Sequence, residues 1–202
     1  MKTSRQKDAS PEKTKAKIIQ AARKVLLKKG NAASTSITDV CAAARITRPT
    51  LYHYFKSSRK LFLALHVASM DRDLKPYLEK ATSIDDPEER LHFMVRTYMK
   101  ECICVCPELK VLIHDSLSTN DKQFREVRTV WKKHYTLLAS TIEQIQSNGK
   151  ISPEIKSSWA ALFLLGMLTW TTYWFDFSKK DSVDAITDLA ETLVFNALAL
   201  KR

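Results

Sequence analysis

The sequence predicts an all-α protein, and two features of the 202-residue chain lead to this prediction. Only three residues are glycine and six are proline, which is too few for a loop-rich β-sandwich or a glycine-rich nucleotide-binding sheet. The hydrophobic residues, 45% of the chain, recur at intervals of three and four, which places them on one face of a helix. We therefore expect about nine helices, arranged as an N-terminal three-helix head and a C-terminal helical bundle.

The first helix is expected to follow a polar, aperiodic arm at residues 1–13, which we predict to be flexible and basic. The helix begins at Thr14 and ends at Gly30, a residue suited to the left-handed conformation that closes many helices. Its apolar residues share one face: Ile18, Ile19, Ala22, Val25 and Leu26.

The second and third helices are short, and each begins at a capping residue. Ser36 opens the second helix, and Asp39 completes a capping box three residues later. Thr47 opens the third helix, which has Pro49 in its first turn, where a missing N–H is tolerated. Together with the first helix they form the predicted head, at residues 14–60.

The remaining residues, 61–202, predict a second domain of longer helices. These helices are expected at about residues 57–76, 86–106, 108–118, 121–148, 154–177 and 182–198. One of them contains Trp159–Phe175, 17 residues without a charge, which reaches the lower limit for crossing a membrane. Gly166 and three threonines interrupt this stretch, so a helix buried in a soluble assembly is the favoured interpretation.

The net charge of +11 is distributed very unevenly along the chain. Residues 1–60 contain 15 lysines and arginines against three acidic residues, whereas the other 142 residues contain 18 basic and 19 acidic side chains. A basic module of this kind is typical of a protein with a polyanionic partner, either nucleic acid or an anionic membrane surface. A solubilising basic tail is the simpler alternative.

Residues 36–55 have the pattern of a helix-turn-helix, because a short capped helix and a tight turn precede a helix that carries Thr, Arg, Tyr and His. The outer residues of such a second helix contact phosphates and base edges in the major groove of DNA. We expect Arg48 to contact guanine with two hydrogen bonds, and Tyr52 and Lys56 to contact phosphate oxygens. The predicted DNA-binding residues are Ser36, Thr38, Arg45, Thr47, Arg48, Pro49, Thr50, Tyr52, His53, Lys56 and Arg59.

This run resembles the head of the TetR family of one-component bacterial transcription regulators. The family pattern is matched at Asp39, Val40, Ala44, Ile46, Thr47, Leu51, Tyr52 and Phe55. The likeness extends over residues 14–65, and the rest of the chain matches the family in layout. The resemblance implies a double-stranded DNA operator, a homodimer, and a small-molecule effector that controls the spacing of the two heads.

Three residues depart from the family's pattern. Arg45 stands where a turn glycine is usual, and a left-handed conformation there would cost about 1 kcal/mol. Ser58 stands where many members have a phosphate-binding lysine, so Arg59 or Lys60 is expected to take its place. Cys41 replaces an alanine and is expected to pack.

The last two helices are the expected dimer interface, because their apolar residues cover more than one face. Two copies of this helix pair would bury the surplus in a four-helix bundle, which is also how the resembled family dimerises. The predicted interface residues are Trp159, Phe163, Gly166, Leu189, Leu193 and Val194.

Aromatic residues and methionine are unusually dense between the fourth and eighth helices, and Met94, Tyr98 and His134 add to this density. Core packing is the favoured role of any single one of these residues. For the set as a whole, the family resemblance implies an apolar effector pocket. The predicted ligand contacts are Phe93, Arg96, Thr97, His114, Trp131, Tyr135, Met167, Trp170 and Trp174. The C-terminal helices are similar to family members that respond to acyl thioesters of coenzyme A, so an acyl-CoA or fatty acid is the expected effector.

An enzyme is not expected, because His114, Asp115 and Ser116 are neighbours on one helix and cannot converge as a catalytic triad. No metal or cofactor is expected either. The cysteines are Cys41 and the run Cys102, Cys104 and Cys106, and with no signal peptide they indicate a reduced, cytoplasmic protein. Two alternatives stay open: a cysteine redox or metal sensor on the same head, and a membrane-associated basic protein.

Overall fold

The computed structural model describes residues 10–29, 35–103, 124–175 and 180–198, and within these ranges the chain forms helices and no strand. The all-α prediction is confirmed. The helices are α1 (Pro11–Lys29), α2 (Ile37–Ala44), α3 (Arg48–Tyr54), α4 (Ser58–Ser69), α5 (Lys75–Thr82), α6 (Pro87–Thr97), α7 (Phe124–Ser147), α8 (Ser157–Trp174) and α9 (Lys180–Ala197). Two π-helical turns follow α4 and α6, at Met70–Leu74 and Tyr98–Ile103. The helix expected at 108–118 lies outside the described residues.

The first helix begins three residues earlier than the sequence analysis predicts. Ser10 accepts a hydrogen bond from the backbone N–H of Lys13 (3.4 Å), and Pro11 occupies the first turn. This start consists of a capping residue followed by proline and an acidic residue. The same pattern begins α6 at Asp86, where the sequence predicted a helix start. The boundary of the predicted arm at residue 13 is therefore wrong.

The helix that begins with α4 also continues beyond its predicted end near Pro76. The π-helical turn lies directly before this proline, and the N–H of Lys75 bonds to the carbonyl of Met70, five residues back. A proline in a regular helix loses a hydrogen bond and clashes with the carbonyl four residues earlier. The wider turn accommodates this defect, and the helix continues through α5 to Thr82.

The interior of the described part of the chain consists of two hydrophobic clusters that share one helix. The head cluster contains Ile18, Ala21, Ala22, Val40, Cys41, Ala44, Leu51, Phe55, Leu61 and Leu65. The body cluster is larger and joins α4 to α9. Leu61 and Leu65 of α4 belong to the head cluster, whereas Leu63 of the same helix belongs to the body cluster. Elsewhere a groove of about 800 Å³ separates the two regions.

A buried arginine fixes the loop between α5 and α6 onto α7. The Arg90 guanidinium donates to the carbonyl oxygens of Ile84 (2.7 and 2.9 Å) and Asp85 (3.2 Å). It also donates to the Gln144 side chain (2.8 Å) on α7. The buried guanidinium is satisfied by these part-buried bonds, so this residue has a structural role that the sequence does not reveal.

Two buried histidines should make the folded protein less stable at acidic pH. Burial lowers the pKa of His66 to about 4 and that of His134 to about 3, from 6.5. Because the unfolded chain binds protons more readily, stability is present above pH 6.5 and is lost as the pH falls toward these values. Between about pH 7.5 and about pH 5, we expect the free energy of unfolding to fall by about 2 kcal/mol for each histidine.

Urea denaturation at several pH values measures this effect. His66→Gln should remove about half of this pH dependence, because His134 remains as the other buried histidine. A free energy of unfolding that is constant across this interval would contradict the prediction.

Candidate nucleic-acid interface and regulatory core

The recognition helix α3 is held against α2 by its apolar residues. Leu51 and Phe55 are buried beside Val40 and Ala44, as the helix-turn-helix pattern predicts. Thr47 caps the helix: its Oγ1 accepts the N–H of Thr50 (3.3 Å), and the two hydroxyl groups are 2.9 Å apart. Both threonines are thus already used in the cap, and Thr50 is half-buried.

The outer face of α3 carries polar side chains with open access to solvent. Arg48, Pro49, His53 and Lys56 are exposed, and Tyr52 is 44% exposed although its ring is large. Within the described part of this face there is no carboxylate. The face therefore presents hydrogen-bond donors and positive charge, which is what phosphate and base-edge contacts require.

The turn between α2 and α3 is closed by Arg45 in the left-handed conformation (φ 53°, ψ 51°). Its N–H donates to the carbonyl of Ala42 (3.1 Å), and the N–H of Ile46 donates to that of Cys41 (3.0 Å). These bonds satisfy the last carbonyls of α2 and set the direction in which α3 leaves it. Arg45 thus keeps the left-handed conformation usual for the family's glycine, and its side chain is exposed beside the recognition helix.

The predicted capping box at the start of α2 is present. The Asp39 N–H donates to Ser36 Oγ (3.2 Å), and the Ser36 N–H donates to the Asp39 carboxylate (3.1 Å). Lys29 forms an ion pair with the same carboxylate (2.6 Å), and this bond and the bonds from Ser36 lower its pKa to about 2. The Ser36 hydroxyl is thus engaged within the protein, while Thr38 is exposed.

The start of α4 differs from the family's pattern as the sequence indicates. Ser57 is the capping residue and accepts the N–H of Lys60 (3.2 Å), so Ser58 is the first residue of the helix. Arg59 is exposed and Lys60 is half-buried, which makes Arg59 the more accessible of the two.

Large apolar side chains lie uncovered on a face of α8 and α9. Phe163 is 79% exposed, Trp159 is 61% exposed and Leu189 is 51% exposed, values that are unusual for side chains of this size. The other large exposed residues of this face are Leu162, Met167, Trp170, Tyr173, Trp174 and Leu193. Gly166 lies on α8, and a Cβ at this position would meet no atom within 4 Å, so a second helix has room to approach.

Four of the predicted positions are corrected by this arrangement. Trp170, Trp174 and Met167 were expected in a ligand pocket, but they lie on the outer face of α8 because the helix turns them away from the body. Val194 was expected at the dimer interface, but it is fully buried in the body cluster of its own protomer.

Arg96 is also placed differently from the prediction, which expected it at the polar end of a pocket. Its guanidinium is paired with Asp188 and Glu191 of α9, both at 2.8 Å, and these carboxylates raise its pKa. Beside it, His92 Nδ1 lies 2.8 Å from Glu191, and Lys100 pairs with Asp184. His92 and Arg96 of α6, and Lys100 of the turn after it, therefore face α9 at the surface and not the core.

The centre of the body contains a buried polar group, His134, which the sequence analysis named only as part of the dense aromatic set. His134 of α7 is 1% exposed, and its Nε2 lies 3.0 Å from the hydroxyl of Tyr77. Tyr98 packs edge-on against the histidine ring and bonds to Thr169 (3.0 Å). Tyr77 was missed because its spacing with Leu74 and Leu78 indicates only a buried helix face.

The other predicted ligand residues surround this centre or lie farther out. Trp131 stacks beside His134, and Phe93 stacks on Tyr77. Tyr135 is half-buried against the body cluster, and Thr97 lines a small surface pocket of about 180 Å³. His114 lies outside the described residues.

Comparisons with known proteins agree with this layout. Residues 18–65 match the family of bacterial regulatory proteins, tetR family, and residues 84–198 match the tetracyclin repressor-like C-terminal domain. The second match covers more than half of the chain. The chain belongs to the TetR family, and it is a helix-turn-helix transcriptional regulator. Regulators of this family are dimers.

Individual relatives are distant in sequence. The chain is 27% identical over 169 residues to the HTH-type transcriptional regulator UidR of Escherichia coli (strain K12), which covers 80% of each chain. Its fold resembles that of AibR, solved in complex with isovaleryl coenzyme A and operator DNA, with a TM-score of 0.73, 22% identity, and coverage of 93% of this chain and 100% of AibR. It also resembles the ketosteroid transcriptional regulator KstR2 of Mycobacterium tuberculosis, with a TM-score of 0.76, 14% identity and full coverage of both chains.

The structure also bears on the two other interpretations of the sequence, a membrane-associated basic protein and a cysteine redox or metal sensor. None of the helices in the described ranges combines the length and the hydropathy that a membrane span needs. In the same ranges, no three His, Cys, Asp or Glu side chains are placed so that they can bind a metal ion. Cys41 is buried in the head cluster, where it packs as expected.

Because Arg45 has a left-handed backbone conformation, we expect Arg45→Gly to raise the stability of the protein and to weaken its binding to DNA. Glycine adopts this conformation without strain, so the free energy of unfolding should rise by up to about 1 kcal/mol. The loss of an exposed positive charge next to α3 should weaken binding to all duplexes alike and reduce the salt dependence of binding. Urea denaturation measures the change in stability, and anisotropy titrations over a range of salt concentrations measure the change in DNA binding. Unchanged DNA affinity would exclude a contact between Arg45 and a DNA phosphate.

Proposed function

We propose that the protein is a ligand-responsive repressor that binds a palindromic operator as a homodimer and is released by an apolar or amphipathic effector. The observation that carries the DNA-binding part is the exposed, carboxylate-free donor face of α3, which lies within residues 1–60, a segment of net charge +12. We expect it to act in the cytoplasm, where bacterial DNA lies.

The side chains of α3 are expected to have different roles in DNA binding, which we assign from their chemistry and their accessibility. The Arg48 guanidinium is exposed at the first turn of the helix, where side chains reach base edges in the major groove, and its fork matches the two acceptors of guanine. Tyr52 and Lys56 lie farther along the helix and suit phosphate oxygens, which fix the position of the head on the duplex. Thr47 and Thr50 contribute mainly through the cap that shapes the helix.

A homodimer through α8 and α9 is supported by their uncovered apolar face. Burial of large side chains such as Phe163 and Leu189 against a second copy removes this surface from water, and Gly166 permits close contact. Two heads related by a two-fold axis then read two half-sites, whose centres lie about 34 Å apart or a multiple of this distance.

An effector site in the body is supported by the cavity beside His134, between α5, α6, α7 and α8. It is lined mostly by apolar side chains, including Met94, Leu164 and Leu168, around one polar centre. Small-molecule sites have this combination of apolar walls and a few polar groups, but this cavity, at about 10 Å³, must widen before it can hold one. The solved AibR complex contains isovaleryl coenzyme A, which makes acyl-CoA thioesters and fatty acids the first effectors to test.

A panel of fatty acids and acyl-CoA thioesters of increasing length tests the effector. A true effector should weaken operator binding by about 5- to 150-fold and raise the melting temperature of the free protein. If no member of the panel changes either quantity, the effector class is wrong, and the DNA-binding assignment stands.

Two variants of α3 are expected to weaken DNA binding in different ways, one with and one without a change in sequence preference. Arg48→Ala should weaken binding to the cognate duplex by about 1 to 3 kcal/mol and relax the preference at one base pair. Tyr52→Phe should weaken binding to all duplexes alike, because a phosphate contact carries no sequence information. Anisotropy titrations with an operator selected from random duplexes, and with a scrambled version of it, measure both effects.

The control for these variants is Lys133→Ala, which removes an exposed positive charge on α7. It should leave operator affinity nearly unchanged. Equal losses on cognate and scrambled DNA for Arg48→Ala would defeat the assignment of this residue to base recognition.

Charge substitutions on the uncovered face should release monomers. Phe163→Glu and Leu189→Glu place a carboxylate in the proposed interface, where an unpaired buried charge costs several kcal/mol. Both residues are exposed in the protomer, so the variants should keep their helical circular dichroism. Leu27→Glu, at an exposed position on α1, is the matched control and should remain dimeric. Sedimentation that shows dimers for both interface variants would place the interface elsewhere.

A further inference from the structure

The buried histidine in the body has one ring nitrogen that nothing in the described part of the chain satisfies. His134 is almost completely buried, and its Nδ1 has no hydrogen-bond partner there. The ring lines a cavity of about 10 Å³ whose other walls include Met94, Leu164 and Leu168. Buried polar atoms normally have a partner, so this nitrogen requires an explanation.

The hydrogen bonds of Tyr77 favour one position for the proton of the histidine. The Tyr77 oxygen lies 3.4 Å from the carbonyl oxygen of Met94 and 3.0 Å from His134 Nε2. A hydroxyl group has only one proton, and when that proton is donated to Met94 the Tyr77 oxygen accepts from Nε2. The distance of 3.0 Å is typical of an N–H···O bond, so we take Nε2 as the protonated nitrogen.

The other nitrogen, Nδ1, is then an unprotonated acceptor with its lone pair in the apolar core. Protonation does not supply the missing partner, since burial lowers the pKa of His134 to about 3 and the ring is neutral at physiological pH. A donor from a bound molecule supplies the partner without introducing a charge.

We infer that the effector carries a neutral hydrogen-bond donor, a hydroxyl group on an apolar chain, which donates to Nδ1 of His134. This inference rests on the proposed effector site and specifies its chemistry. A carboxylate at this position would be two acceptors facing a lone pair. The cation that the sequence suggested for it, Arg96, is held at the surface by Asp188 and Glu191.

The size of the cavity places a further condition on binding. At about 10 Å³ it holds roughly one water-sized group, so a chain enters only if side chains of α6 and α8 move apart. Tyr98, which lines the cavity, is the first residue of the π-helical turn after α6. The hydroxyl would be the anchored end of the ligand, and any charged part would stay nearer to solvent.

Three probes of equal chain length separate the possible chemistries: decan-1-ol, its methyl ether and decanoate. The alcohol is a neutral donor, the ether offers only an acceptor, and decanoate is an anion. Calorimetry should show that the alcohol binds about tenfold more tightly than either of the others. An ether that binds as tightly as the alcohol would mean that water meets Nδ1, and a decanoate that does so would mean that a charge is tolerated. Either result overturns the inference and leaves an effector-responsive regulator in place.

If none of the three probes binds, and no acyl-CoA thioester binds either, the proposed effector site fails and the inference falls with it. A measurement without any ligand provides an independent test. Nitrogen-15 spectra of histidine-labelled protein should show His134 protonated at Nε2 and not at Nδ1. A proton on Nδ1 would overturn the inference directly, because the ring would then offer a donor.

Two substitutions distinguish the acceptor from the rest of the ring. His134→Asn keeps an amide oxygen near the position of Nδ1 and should retain the preference for the alcohol over the ether. His134→Gln extends toward Tyr77 in place of Nε2 and should lose this preference. His66→Gln, which removes a buried imidazole away from the cavity, is the control and should bind the probes like the unmodified protein. Equal preferences in the Asn and Gln variants would contradict the role of Nδ1.

Discussion

The whole arrangement depends on α4, whose apolar side chains are divided between two cores. Leu61 and Leu65 complete the head cluster, while Leu63 belongs to the body cluster. Close-packed side chains do not deform continuously, so a shift of α4 within the body must carry the head with it. The groove of about 800 Å³ between the two regions leaves room for such a movement. The head and body are therefore coupled by packing, without any need for a long chain of polar contacts.

A second feature is the separation of charge from the core of the body. The inner side of α6 and of the π-helical turn after it contributes Met94, Val95 and Tyr98 to the cavity beside His134, and the outer side of the same segment is paired with carboxylates of α9. The same helix thus contacts both the proposed effector site and the helix whose exposed face is proposed to form the dimer. A change at the cavity has a direct physical route to the relative position of two protomers, and a neutral, apolar effector is the kind that such a core admits.

Much of the head could be predicted from the sequence, because caps and turns are local. Ser36, Asp39 and Thr47 act through residues three positions away, and the left-handed Arg45 follows from its place at the end of α2. The body was harder, since which way a side chain points depends on how a helix rotates against its neighbours. The apolar residues of α8 are spread around the helix, so periodicity did not distinguish the buried Leu164 and Leu168 from the exposed Trp170 and Trp174. Likewise, the hydrogen bond between Tyr77 and His134 joins residues far apart in the chain.

The central claim is that effector binding in the body changes the placement of the two heads. Spin labels at Ala43→Cys, an exposed position on α2, report the distance between the heads when Cys102, Cys104 and Cys106 are replaced by serine. Distances are measured by double electron–electron resonance for the dimer with operator DNA, and for the dimer with the effector that the acyl-CoA panel identifies. The account predicts one narrow distance on operator DNA and a different distance with effector. Coincident distance distributions in the two complexes would contradict it.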